Sequence, residues 1–185
     1  MTGIIDTSSL IAIARYYLSI KEESDILQFL ETKFRNGELL LLKTVYEEAK
    51  KTQKGISTTL MSFLNDETLH VKDENILPPS PQKFSNLIDN NFCIPVMRKN
   101  LKEDQFQQYK LEYMKTADMK MILYALNNKN LNPIIITEET HVSNDKKVFK
   151  KIPAICDQLG IKHTQITKWL VDNGISLNWI FNQVY

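Results

Sequence analysis

Short apolar runs alternate along this chain with segments whose apolar residues recur every three or four positions. Gly3-Ile4-Ile5-Asp6 reads as a short buried strand ending in an acid. Leu10, Ile11, Ile13, Ala14, Tyr17 and Leu18 then follow at helical spacing. A second helix is predicted from about Glu22 to Arg35, with Ile26, Leu27, Phe29, Leu30 and Phe34 apolar and Asn36-Gly37 as its stop. The run Leu39–Leu42 is too short for a helix and too continuous for a half-exposed strand, so it predicts a buried parallel strand. Helices are expected from Val45 to about Thr52 and from Ile56 to Leu64, with a short strand at Leu69–Val71. Pro78-Pro79-Ser80-Pro81 is the clearest breaker.

Residues 78–113 are too few and too polar for a core of their own, and read as a mostly helical insertion. Beyond it the pattern predicts a helix from Thr116 to about Asn128, a turn at Asn132-Pro133 and a strand at Ile134–Ile136. After a polar loop from Thr140 to Lys151, Pro153 suits the first turn of a helix that Gly160 stops. A last strand within 161–166, a helix over 167–172 and an apolar tail over 175–185 (Leu177, Ile180, Phe181, Val184) close the chain. Strands alternating with amphipathic helices give an α/β fold with a mostly parallel sheet, in one domain spanning 1–185.

Charge excludes one class of function. Lys plus Arg is 23 and Asp plus Glu is 22, so no general basic coat for nucleic acid exists and any attraction to phosphate is local. Two cysteines, Cys93 and Cys156, make neither a disulfide framework nor a four-thiolate zinc site. The N-terminal stretch lacks a signal peptide's basic start, and no apolar run approaches the roughly 18 residues of a membrane span. The expectation is a soluble, cytoplasmic protein without a membrane partner. His70, His141 and His163 share no ligand-like interval and are assigned structural or surface roles. Met114, Met119 and Met121 read as core, and Trp169 and Trp179 as packing for the C-terminal helices.

Four acids stand out by position. Ligands of an open parallel sheet bind outside the carboxyl ends of its strands. Asp6 follows the first strand and Glu139 the Ile134–Ile136 strand. Asp6 could equally cap the helix that begins at Thr7, and Glu139 could be a solvated loop acid. Asp118 lies at i with Met121, Ile122, Ala125 and Leu126 at i+3, i+4, i+7 and i+8, so it starts the buried stripe of its helix. A favourable place on the helix dipole is its alternative role. Glu48 shares a helix face with Val45, Ala49 and Thr52, whereas Glu47 pairs with Lys51 at the exposed i, i+4 spacing; Glu48 is therefore the inward acid. Four carboxylates at one sheet end repel one another unless a cation offsets them, which points to Mg²⁺ or Mn²⁺ and to phosphoryl transfer.

The ordered set resembles the PIN-domain ribonucleases. The motifs are Ile4-Ile5-Asp6-Thr7-Ser8, Val45-Tyr46-Glu47-Glu48-Ala49, Ala117-Asp118 at the head of an apolar helix, and Ile134-Ile135-Ile136-Thr137-Glu138-Glu139. The block Lys151–Cys156 followed by Leu159-Gly160-Ile161 is similar to a PIN branch with a Thr-Glu-Glu fourth motif. The resemblance covers roughly residues 3–52 and 116–174. It implies a three-layer α/β/α fold and Mg²⁺- or Mn²⁺-dependent endonucleolytic cleavage of RNA that leaves a 3′-hydroxyl and a 5′-phosphate. It maps the metal-binding and catalytic acids to Asp6, Glu48, Asp118 and Glu139, with Ser8 and Thr137 in support. A VapC-like role as toxin of a toxin–antitoxin pair is implied as well, with RNA, a protein antitoxin and a second copy of the chain as partners.

Two departures from the family are visible: the fourth acid is Glu rather than the commoner Asp, and the gap from Glu48 to Asp118 is long. A dehalogenase-like phosphatase needs a second Asp where Ser8 stands, and a receiver domain needs a strand-end Asp after Leu42 where Lys43 stands. A flap-type nuclease expects more acids and a longer chain. The remaining alternative is a degenerate PIN domain that binds RNA or protein without cleaving. For the RNA path, Lys146, Lys147, Lys150 and Lys151 leave the same sheet end as Glu139, with Arg98, Lys99 and Lys102 as a second basic group.

Overall fold

A computed structural model of the chain describes residues 1–18, 23–141 and 147–175. Lys146, Trp179 and the tail residues Leu177, Ile180, Phe181 and Val184 lie outside the described residues.

Among the described residues the sheet has five strands, all parallel, in the order β3-β2-β1-β4-β5. β1 (Gly3–Ile5) runs directly into α1 (Thr7–Ala12), which continues as a π-helical turn, Ile13–Tyr17. α2 (Glu23–Arg35) leads to β2 (Leu39–Leu42), and α3 (Lys43–Lys51) follows at once. α4 (Ile56–Leu60) and two 3₁₀ turns precede β3 (His70–Val71). The insertion holds α5 (Pro81–Leu87), a π-helical turn (Ile88–Phe92), α6 (Pro95–Lys99) and α7 (Glu103–Tyr113). The chain then forms α8 (Ala117–Asn127), β4 (Ile134–Ile136), α9 (Ile152–Leu159), β5 (Lys162–Thr164) and α10 (Ile166–Asp172). Helices flank the sheet, so the α/β expectation holds. No described helix is long and apolar enough to cross a membrane.

The core follows from the apolar runs. Ile4, Ile5, Leu41, Leu42, Ile135 and Ile136 are fully buried, as strands covered on both faces require. Some boundaries move for local reasons. α3 starts at Lys43, two residues early, because buried Asp73 accepts the Thr44 N–H with both carboxylate oxygens at 3.3 Å and so caps the helix. α4 stops at Leu60 rather than Leu64, because the Asn65 side-chain amide takes the carbonyls of Thr58 and Ser62, each at 3.1 Å. Gly160 ends α9 in the left-handed region (φ 66°), as its position predicted.

The insertion is helical and shares the sheet's core through Phe84, Ile88, Phe92 and Phe106. It is also stitched to the segment before α9. Ile94 N–H donates to Val148 O and Lys150 N–H to Phe92 O, each at 2.8 Å, around an antiparallel Cys93–Phe149 bridge. Arg98 is taken up structurally: it pairs with Glu103 and lies 4.0 Å over the Phe106 ring.

α10 docks through Trp169, which is 5% exposed and packs 6.2 Å from Phe29. Its Nε1 lies 3.3 Å from where a side chain on Gly3 would begin, so the bare strand makes room for the indole. Trp169→Ala is expected to cost about 3–5 kcal/mol in urea unfolding. Val171→Ala, at a half-exposed site on the same helix, should stay within about 0.5 kcal/mol. Equal effects would contradict this docking.

Candidate active site

β1 is the strand from which the chain winds both ways, toward β2 and β3 on one side and toward β4 and β5 on the other. In a doubly wound sheet the crevice opens where the winding reverses, here between the carboxyl ends of β1 and β4. Asp6 and Thr137 are the first residues past those two ends. Their backbones are fixed there: Asp6 N–H donates to Ile136 O and Thr137 N–H to Thr164 O, both at 2.9 Å.

Asp6 occupies the N-cap position of α1, yet its side chain makes no capping hydrogen bond. Its Oδ2 instead accepts the hydroxyls of Ser8 (2.5 Å) and Thr137 (2.8 Å). Ser8 Oγ also accepts the Glu138 N–H at 3.0 Å, and Thr137 Oγ1 accepts the Glu139 N–H at 3.1 Å. One buried carboxylate thus gathers the start of α1 and the segment leaving β4.

Helix packing delivers Glu48 and Asp118, and the segment leaving β4 delivers Glu139. α3 lies against both α1 and α8. Glu48, on α3, accepts the Thr7 hydroxyl through Oε2 at 2.9 Å. Glu48 is itself exposed and Glu47 half-buried, which corrects the inward placement of Glu48: it faces an open cleft and not the core. Thr116 caps α8 through the Met119 N–H, which puts Asp118 in the first turn. Glu139 accepts the first N–H of α9, from Ile152, through Oε2 at 3.0 Å. The neighbouring Glu138 has another task. It accepts the Ile166 N–H at 2.8 Å and the Ser9 hydroxyl at 3.4 Å, pinning α10 to α1.

Asp6, Glu48, Asp118 and Glu139 line one open cleft of about 330 Å³, with Thr7, Ser8, Thr52, Thr116 and Lys147. The structure therefore brings all four acids and Ser8 to one place, and Thr137 beneath them. Burial raises the Asp6 carboxyl above its ordinary value; the Ser8 and Thr137 hydroxyls oppose this, and the Glu48 charge adds to it. Asp118 is pushed up to about 7 by burial first, then by the charges of Asp6, Glu139 and Glu48, with Lys147 offsetting part.

A second cavity of about 360 Å³ continues from this cleft, sharing Thr116, Asp118, Glu139 and Lys147. Its lining also includes Tyr109 and Tyr113 of α7 with Phe149, Lys150 and Lys151. Tyr113 stacks on Phe149 at 4.1 Å and 7°. The Tyr113 hydroxyl is buried and finds no hydrogen-bond partner among the described residues. Burial and the charges of Asp118 and Glu139 hold it well above the ordinary tyrosine range. This pocket was not legible in the sequence, because Tyr109 and Phe149 are about 40 residues apart and their segments meet only in the fold, through the Tyr113–Phe149 stack and the Cys93–Phe149 bridge.

Without a cation, the folded chain keeps a proton on Asp118 between pH 3.8 and about 7 that the unfolded chain has released. That contribution to stability is full at low pH and is lost as the pH rises through this window. Asp118→Asn should therefore gain stability over wild type progressively from about pH 4 to 7 in chelator, and level off above, at roughly 2–4 °C of melting temperature per kcal/mol. A difference that does not change with pH would contradict the crowded carboxylate cleft.

A family model described as "Domain of unknown function (DUF4411)" matches residues 4–177. No curated protein and no solved structure matches the chain. The family match runs from β1 past α10, so it takes in every acid of the cleft, the insertion and the segment that carries Lys147–Lys151. The chain belongs to the DUF4411 family.

Proposed function

We propose that this protein is a metal-dependent endoribonuclease of the PIN type, working in the cytoplasm. The observation that carries the reading is the convergence of Asp6, Glu48, Asp118 and Glu139, from four separate elements, on one open cleft at the sheet's switch point. A set of hard oxygen donors, one of them raised to about 7 by burial and then by the charges of the others, fits Mg²⁺ or Mn²⁺. A bound ion would supply charge for the developing phosphorane and a more acidic water.

The chain's own contribution is placement. Ser8 and Thr137 fix Asp6, Thr7 steadies Glu48, and the N-terminus of α9 steadies Glu139. Each contact grips one carboxylate oxygen and sets the direction of the group. Asp118 enters from α8 with Lys147 nearby, the charge best placed to meet a scissile phosphate. RNA lies across both cavities, its backbone along Lys147, Lys150 and Lys151 and a base against the exposed ring of Tyr109. The order of the four acid motifs, shared with VapC-like proteins, supports a role as the toxin of a toxin–antitoxin pair. A protein antitoxin covering the cleft and a homodimer complete that reading.

Purified protein should cut labelled RNA with Mg²⁺ or Mn²⁺ and not in chelator. Asp6→Asn and Asp118→Asn should each lower the rate more than about 100-fold, beyond the 10–100-fold typical for loss of an outer-shell partner. RNA binding that persists without cleavage under every metal would move the protein to the degenerate, binding-only class.

Tyr109→Ala removes the exposed ring of the second cavity. It should raise KM for RNA about 5- to 150-fold, the loss of one base stack of roughly 1–3 kcal/mol, and leave metal-dependent stabilisation intact. An unchanged KM would remove this cavity from the RNA path.

A further inference from the structure

His141, Asp157 and His163 come from three segments that the sequence keeps apart, and the fold gathers them. His163 lies on β5 in register with Ile135 of β4. His141 follows β4 by five residues, and Asp157 lies on α9, which connects onward to β5. Both imidazoles aim Nε2 at the same carboxylate: His141 at Oδ2, 2.7 Å away, and His163 at Oδ1, 3.0 Å away. The rings stand edge to face at 5.7 Å. One ligand atom from each residue falls within 4.8 Å of the other two. The two histidines also border a cavity of about 270 Å³ with Thr137, Glu139 and Thr140, and Asp157, outside its lining, is itself exposed to solvent.

We propose that His141, His163 and Asp157 bind a divalent ion of the Zn²⁺ class, at a site separate from the carboxylate cleft. Two imidazoles and one carboxylate form a borderline donor set, preferred by Zn²⁺, Co²⁺ or Ni²⁺ over Mg²⁺. Three protein ligands with a water in the fourth place is a familiar Zn²⁺ arrangement, with bonds of about 2.0–2.2 Å. Bonds of that length need the donors closer together than they stand here. His141 and Asp157 are more than half exposed, so their side chains are free of the packing that would hold them apart. Binding replaces the two hydrogen bonds to Asp157. A neutral imidazole moves its proton to Nδ1 with no net release, and a protonated one gives up one proton.

The site has a structural consequence that differs from the role of the cleft. Glu139 already ties the segment after β4 to the first turn of α9. An ion on His141 would tie the same segment to the last turn of α9 and to β5. Zn²⁺ would therefore staple the stretch that carries Glu139 at both ends of one helix.

Zn²⁺ titration of the full chain by calorimetry, in excess Mg²⁺ to saturate the cleft, decides the matter. Wild type should take up one equivalent with micromolar or tighter affinity. His141→Gln and His163→Gln should each weaken uptake at least about tenfold, the smallest loss expected when even an outer-shell partner is removed. Asp118→Asn should leave it unchanged. Zn²⁺ should also raise the melting temperature of wild type and of Asp118→Asn, and not of either histidine variant. Uptake that falls in Asp118→Asn and survives in the histidine variants would place the ion in the carboxylate cleft and overturn the proposal. Absence of saturable uptake in wild type would overturn it as well, leaving a hydrogen-bonded His–Asp–His triad. Because the readouts are binding and melting, failure here leaves the nuclease reading standing, and loss of nuclease activity leaves this site standing.

Discussion

Burying a carboxylate costs free energy that is recovered only if hydrogen bonds or a cation meet its charge. Asp6 is that group in this protein. It is 4% exposed, at the end of the central strand, and two hydroxyls converge on one of its oxygens. Much of the site depends on this arrangement. Ser8 and Thr137 pass the contact on to the backbone of Glu138 and Glu139, so the segment after β4 is positioned by the acid after β1. Glu138 then holds α10 and Glu139 holds α9. Hydroxyls lower the cost of burying Asp6 but leave its carboxyl raised, so part of that cost stands; a cation bound in the proposed site would offset it.

Electrostatic crowding and structural order are thus built from the same residues. Helix packing of α3 on α1 and α8 adds two acids to a place where one is already expensive. Burial, together with the charges of Asp6, Glu139 and Glu48, raises Asp118 to about 7. The insertion extends this design: it carries the aromatic wall of the second cavity and fastens it to the lysine-bearing segment through backbone hydrogen bonds.

Much of the fold was legible because its three central strands, β1, β2 and β4, are short, continuous runs of Ile and Leu, and burial follows from such runs. Asp6, Asp118 and Glu139 were legible for the same reason, since each sits at a fixed offset from an apolar run. Glu48 was placed on the right helix face for the wrong reason: sharing a face with Val45 and Ala49 suggested burial, but that face ends at an open cleft. Asp73 was invisible, because a cap contributed from 29 residues away leaves no local pattern. His141 and His163 were assigned separate structural or surface roles. Their 22-residue spacing has no meaning along the chain and acquires one only when β4 and β5 pair in parallel. Contacts set by strand order are what single-sequence periodicity cannot supply.

The claim at the centre of this account is that the four acids form one cation site. Anomalous diffraction from crystals grown with Mn²⁺ tests it directly. The account predicts a peak in the cleft at about 2.0–2.2 Å from carboxylate oxygens of Asp6 and Asp118, which disappears in Asp118→Asn. A cleft without a peak at saturating Mn²⁺, or a peak only at His141, Asp157 and His163, would contradict it.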